Sequence, residues 1–112
     1  MADEPLASRN CKPCEGGVEP LPPAAAGVLL RDLKGWELVD GKALRKTITC
    51  KDFLGAVNLV QRIAPIAEAE DHHPDLHLTR YRRLTIELST HSIGGLSEND
   101  FILAAKIDQL GA

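Results

Sequence analysis

Hydrophobic and polar positions along the chain fall into patterns of two different periods. Ala24 to Leu33 has the composition of a short helix, with Pro23 at its first turn and Gly35 beyond its end. Trp36-Glu37-Leu38-Val39 and Leu44 to Cys50 read as strands. Asp40-Gly41 lies between them, a pair suited to a tight turn with positive φ, so the two runs predict a β-hairpin. In the second run Leu44, Lys46, Ile48 and Cys50 share one face, and only Lys46 interrupts its apolar character. Asp52 to Glu70 then carries Phe53, Val57, Val60 and Ala64 at helical spacing, flanked by Ala56, Ile63 and Ala67. Pro65 stands late in this helix and predicts a kink there, or a break that starts the final turn early.

Leu84, Ile86 and Leu88 alternate with Thr85, Glu87 and Ser89, the pattern of a strand with one wet face. Ser97-Glu98-Asn99-Asp100 announces a last helix: Ser97 stands at the N-cap, Asp100 at the acidic position of a capping box, and both acids suit the helix dipole. From Phe101 through Ile102, Leu103, Ala104, Ala105, Ile107 and Leu110 that helix is apolar nearly all round. A helix of this kind wants contacts on more than one side, and a subunit interface would provide them. The element order predicts an α+β fold in one domain, a two-layer sandwich of antiparallel sheet with helices on one face.

Length and composition agree with that picture. At 112 residues there is room for one domain, and 44% hydrophobic with 26% charged residues is ordinary for a folded globular chain. No apolar run approaches the ~20 residues that cross a bilayer, so no membrane partner is expected. A net charge of −3 argues against direct nucleic-acid binding, which normally uses a basic surface. Residues 1–23 read as an N-terminal arm, with Cys11-Lys12-Pro13-Cys14, Gly16-Gly17 and Pro20, Pro22 and Pro23 too dense in breakers for a regular element. Three cysteines, and no secretory-type apolar segment at the start, suit a reducing, cytoplasmic setting.

The candidate chemistry is concentrated. All four histidines, His72, His73, His77 and His91, fall within twenty consecutive residues. Imidazole exchanges protons near neutral pH, so the cluster points to proton transfer, a metal or a charge switch. His72-His73-Pro74 ends the long helix, and His91 follows a strand before Gly94-Gly95, so the three rings can meet at one end of the sheet. Zinc would need about four ligands, and neighbouring histidines on extended backbone point to opposite sides, which disfavours a metal reading. Cys11-x-x-Cys14 could serve a structural zinc only with Cys50 or a histidine, since a second CxxC is absent. Glu68 and Asp71 precede the histidines at a helix end, where acids oppose the dipole and so ask for a reason. Trp36, the single Trp, and Tyr81 can be core residues or aromatic contacts; Arg80, Arg82 and Arg83 read as a wet strand face or a subunit contact.

These residues resemble a known family. Glu68-x3-His72-His73-Pro74-x6-Tyr81-x9-His91-x8-Asp100 is similar to the signature of the pterin-4a-carbinolamine dehydratases, as are Thr90 to Ser97 and Gly35-Trp36. The likeness runs from about Leu33 to Leu110, and the Cys11-x-x-Cys14 arm resembles the plant- and protist-type branch. Two departures stand out: Pro65 within the long helix, and Tyr81 where Trp is common. The resemblance implies a four-stranded antiparallel sheet with three helices on one face, a hairpin from Leu76 to Ser89, residues 24–112 as the dehydratase domain, and assembly as homodimers or homotetramers. It implies dehydration of 4a-hydroxytetrahydropterin to quinonoid dihydropterin, in recycling of a tetrahydropterin cofactor, without metal or cofactor. His72, His73 and His91 match the family's active histidines, their acid and base roles left open. Glu68, Asp71, Pro74, Thr90, Ser92, Ile93, Trp36, Tyr81 and Asp100 are the implied substrate-binding set, with Asp100 read chiefly as the acid at the helix start. Two other functions accompany the resemblance: a dimerising, coactivator-like interaction module, and an accessory protein for molybdenum-cofactor enzymes.

Overall fold

In a computed structural model of the chain, residues 5–11 and 20–110 are described. The sheet is organised around β4 (Arg83–Leu88), whose alternation is as clear in space as in sequence: Leu84, Ile86 and Leu88 are fully buried. β4 pairs on one side with β2 (Ala43–Thr49) and on the other with β3 (Asp75–Thr79), while β1 (Glu37–Val39) pairs with β2, giving the order β1-β2-β4-β3 with every pair antiparallel. The register sets Leu44 opposite Leu88 and Ile48 opposite Leu84, so the inward stripes of neighbouring strands coincide. Asp40 and Gly41 both take left-handed φ in the β1–β2 turn, as their residue types predict. β3 is less legible in sequence because it lies at the sheet edge, with Leu76 and Leu78 only half-buried and Asp75, His77 and Thr79 exposed. Its turn into β4 also lacks a glycine: Arg80 and Tyr81 themselves adopt φ of 48° and 54°.

Three helices, α1 (Pro23–Leu30), α2 (Phe53–Glu70) and α3 (Glu98–Asp108), complete the α+β sandwich. Asp52 caps α2 by accepting the Gly55 N–H at 2.7 Å. The break expected at Pro65 does not occur, since α2 continues to Glu70 with Pro65 on its exposed side. Its buried stripe is Ala56, Leu59, Ile63 and Ala67, one step round from the Phe53–Val57–Val60–Ala64 row, and Phe53 is 52% exposed. Two apolar rows lie side by side on this helix, and periodicity alone does not choose between them. The small Ala56 and Ala67 suit close approach to the core.

α3 is buried from Asn99 to Ala105 and again at Ile107. The apolar surface that invited a subunit interface is instead covered by this chain itself. Sheet residues and Leu59 and Ile63 of α2 share its core, and the N-terminal 3-10 turn Leu6–Ser8 packs against α3 with Leu6 buried in the same cluster. Lys46, the break in the β2 stripe, is also accounted for. Its ammonium reaches Asp108 at the end of α3 at 2.8 Å and lies 5.9 Å from the centre of the Trp36 ring.

Candidate active site

The end of α2 builds one side of the site. Asp71 takes a left-handed conformation (φ 51°) and the amide of His72 reaches back to the Ala67 carbonyl at 3.1 Å, closing the helix in a Schellman-like turn. Pro74 then keeps the chain extended, so His72 and His73 leave the helix end together. The opposite side is a short loop following β4. Thr90 and Gly95 form an isolated antiparallel bridge, a 3-10 turn spans His91–Ile93, and Gly94 supplies φ of 68°. Gly95 is required for another reason: a Cβ there would sit 2.8 Å from Pro20. The pair Gly94-Gly95 thus shapes the loop that carries His91.

Between the two sides lies a cleft of about 620 Å³. His72, His73 and His91 all line it, with Asp71, Thr90 and Ser92. His77 does not, since β3 carries it to the outer sheet face beside Thr85. Two of the three imidazoles are held by carboxylates. His72 Nε2 lies 2.6 Å from Asp100 Oδ1, and His73 Nε2 lies 2.5 Å from Glu68 Oε2. The two pairs differ in setting: the His72 side chain is 13% exposed and Asp100 fully buried, whereas His73 and Glu68 are 55% and 76% exposed. Geometry at the second pair is therefore held far less firmly against solvent.

Asp100 combines two roles. Its Oδ2 accepts the Ser97 N–H at 3.0 Å, as the acid of a capping box does, and the Thr90 hydroxyl at 2.9 Å. The Ser97 hydroxyl in turn lies 2.8 Å from Thr90 Oγ1. With Oδ2 occupied by the helix start, Oδ1 is left for His72. A carboxylate only accepts, so the His72 hydrogen sits on Nε2, and Nδ1 is the nitrogen left for other chemistry.

The remaining implied residues are distributed differently. Glu68 supports His73 from behind, and Pro74 and Ile93 adjoin the lining without forming part of it. Trp36 lies outside the cleft, its indole N–H bonded to Asp108 Oδ1 at 2.9 Å, and Tyr81 sits 61% exposed at the β3–β4 turn beside Arg82. Sequence reasoning missed Cys11, Glu70 and Asn99, which also line the cleft. Cys11 was visible only as half of a metal-type motif, and Cys14 lies outside the described residues. Burial and the neighbouring Glu70 carboxylate push the Cys11 thiol up to about 12. Among the described residues no three His, Cys, Asp or Glu side chains converge as a metal centre requires.

The family model for pterin 4 alpha carbinolamine dehydratase matches residues 19–110. A Nitrosomonas eutropha protein bearing the name pterin-4-alpha-carbinolamine dehydratase is 47% identical over 106 residues, covering 94% of this chain and 92% of the relative. The Arabidopsis thaliana protein named pterin-4-alpha-carbinolamine dehydratase 2, mitochondrial, is 43% identical over 109 residues, covering 94% of this chain and 58% of its own length. A crystal structure from Brucella melitensis, titled transcriptional coactivator/pterin dehydratase, superimposes with a TM-score of 0.77 at 34% identity, over 84% of this chain and all of that one. With a family match spanning the sheet, all three helices and both sides of the histidine cleft, the chain belongs to the pterin 4 alpha carbinolamine dehydratase family.

Proposed function

We propose that the protein dehydrates 4a-hydroxytetrahydropterin to quinonoid dihydropterin by histidine general acid–base catalysis, and so serves recycling of a tetrahydropterin cofactor. The observation that carries the reading is the convergence of His72, His73 and His91 on one cleft, with His72 oriented by a buried carboxylate. In the reaction the bond from C4a to the hydroxyl breaks, a C=N bond forms to the ring nitrogen, and that nitrogen gives up its proton. One group donates a proton to the departing oxygen and another receives the nitrogen proton, so the protein ends in a redistributed protonation state that solvent restores. Imidazoles suit both tasks, and acid–base catalysis of this kind contributes roughly 10²–10⁴-fold. In this reading Asp71 and Ser92, which line the cleft, meet the polar edge of the pterin, Thr90 lines it with its hydroxyl given to Asp100, and Glu68 and Asp100 orient the histidines.

The test is ultraviolet-monitored dehydration of freshly prepared 4a-hydroxytetrahydropterin by metal-stripped protein. Acceleration by the native chain, lost in His72→Ala/His73→Ala, is the expected result. No acceleration by folded native protein refutes the reading. The interaction-module alternative draws on the apolar α3, but that surface is spent inside the fold, which favours the enzyme reading. Exposed Phe53 and Leu54 at the start of α2 support self-association as a homodimer or homotetramer, to be read by light scattering. None of the described helices is long and apolar enough to cross a membrane, and the free thiols of Cys11 and Cys50 suit the reducing cytoplasm.

A further inference from the structure

One wall of the cleft comes from a part of the chain that lies ahead of the family model. The match begins at residue 19, yet Cys11 lines the cleft beside Glu70, Asp71, His72 and Asn99. We propose that residues 5–11 form a fixed strap that completes the pterin cleft, with Cys11 as its substrate-facing wall and Glu70 as the positioning residue that holds it there. This inference rests on the dehydratase reading above.

The strap is anchored along its length. Leu6 is buried in the main core, and Arg9 pairs with Glu98 at 2.9 Å. Lys106 of α3 donates to the Ala7 carbonyl at 2.9 Å and lies 3.9 Å from Glu70 Oε2. The other Glu70 oxygen, Oε1, accepts the Cys11 N–H at 2.6 Å, and the Cys11 thiol donates to the Asn99 carbonyl at 3.6 Å. Glu70 is the last residue of α2, two positions before His72, and its side chain is only 11% exposed. One carboxylate therefore ties the strap to the turn that aims the histidines. A buried carboxylate is retained at a cost unless its charge and lone pairs are matched, and here Lys106 and the Cys11 amide match them.

Covering α3 explains Leu6 and, through the thiol's bond to the Asn99 carbonyl, one side of Cys11, but it does not explain the bond of the Cys11 amide to Glu70. Cys11 is thereby held to the end of α2, at the cleft. What it presents is a small, polarizable, uncharged thiol beside His72, a surface suited to the edge of a flat heterocycle and readily blocked by a larger side chain. Because the strap touches substrate and not the reacting protons, its loss should appear in KM and leave kcat in place.

The experiment is steady-state dehydration of 4a-hydroxytetrahydropterin by the full chain and three variants, each with a thermal melt. Cys11→Phe fills the wall and should raise KM by roughly tenfold with kcat within about twofold of the native value. Glu70→Ala releases the strap and should raise KM similarly, whereas Glu70→Gln keeps an accepting oxygen for the Cys11 amide and should recover most of the loss. A merely structural role would lower the melting temperature and the active fraction, reducing kcat at unchanged KM. If Glu70→Ala does not fold, Cys11→Phe decides. An active native chain with Cys11→Phe folded and KM within about twofold of native overturns the strap alone. An inactive native chain overturns the dehydratase reading and the strap with it.

Discussion

Asp100→Asn separates the two roles that Asp100 combines. The aspartate is fully buried, with Oδ2 on Ser97 N–H and Thr90 Oγ1 and Oδ1 on His72 Nε2. In the variant the amide oxygen will keep the Oδ2 position, because the reverse orientation would set an NH2 against the Ser97 N–H, two donors facing each other. The amide nitrogen then faces His72 Nε2 as a donor, forcing that nitrogen to accept and moving the ring hydrogen to Nδ1. The nitrogen available to substrate is left in the wrong state for half of the proton transfers. Forfeiting one acid–base group should lower kcat by about 10², or about 2.7 kcal/mol of barrier. Stability should hardly change, since the cap survives and only the charge near the α3 start is lost, about 1 kcal/mol. Asp100→Ala removes all three bonds and leaves buried donors unpaired, which should cost about 3 kcal/mol or more. Glu68→Gln is the useful contrast: its pair with His73 is exposed, so kcat should fall by less than about fivefold. The assay is the ultraviolet dehydration rate beside a thermal melt. A folded Asp100→Asn protein with kcat within about threefold of native would refute the reasoning.

Pro65→Ala should stabilise the protein by about 2 kcal/mol, because proline has no N–H for the Gln61 carbonyl and costs ~3 kcal/mol within a helix, offset by the added freedom of the unfolded chain; an unchanged melting temperature would contradict this. Asp108 accepts from Trp36 Nε1, Lys46 Nζ and the Lys34 amide, so Asp108→Ala strands a largely buried lysine and should cost about 3 kcal/mol in urea unfolding at unchanged m-value. A loss below about 1 kcal/mol would show that junction to be dispensable. The Cys11 thiol, raised from 9.0 to about 12 chiefly by burial, favours the folded state while it is protonated. That contribution is complete below pH 9 and lost as pH rises toward 12, so the native protein should lose melting temperature more steeply than Cys11→Ser across that window. Parallel curves for the two proteins would count against it.

Local chemistry is readable from the chain because it acts over a few residues. Asp40-Gly41 demands its turn, Leu84, Ile86 and Leu88 alternate whatever lies above them, and Ser97 with Asp100 starts α3 through bonds three residues apart. The histidines were likewise visible as a cluster, together with the two junctions that carry them. Where two local answers were equally good, packing chose. α2 offers two adjacent apolar rows, and only the layer beneath it selects Ala56, Leu59, Ile63 and Ala67. β3 has a weak pattern because an edge strand buries little, and its Arg80-Tyr81 turn carries none of the usual residues. The all-round apolar α3 asked for cover without saying whose, and a segment some ninety residues earlier in the chain supplies part of it. The site depends most on tertiary structure. Asp100 meets His72 across 28 positions, Glu70 meets Cys11 across 59, and Trp36 meets Asp108 across 72. Short-range periodicity cannot encode such pairings, because they exist only once the sheet register and helix packing have closed the loops between them.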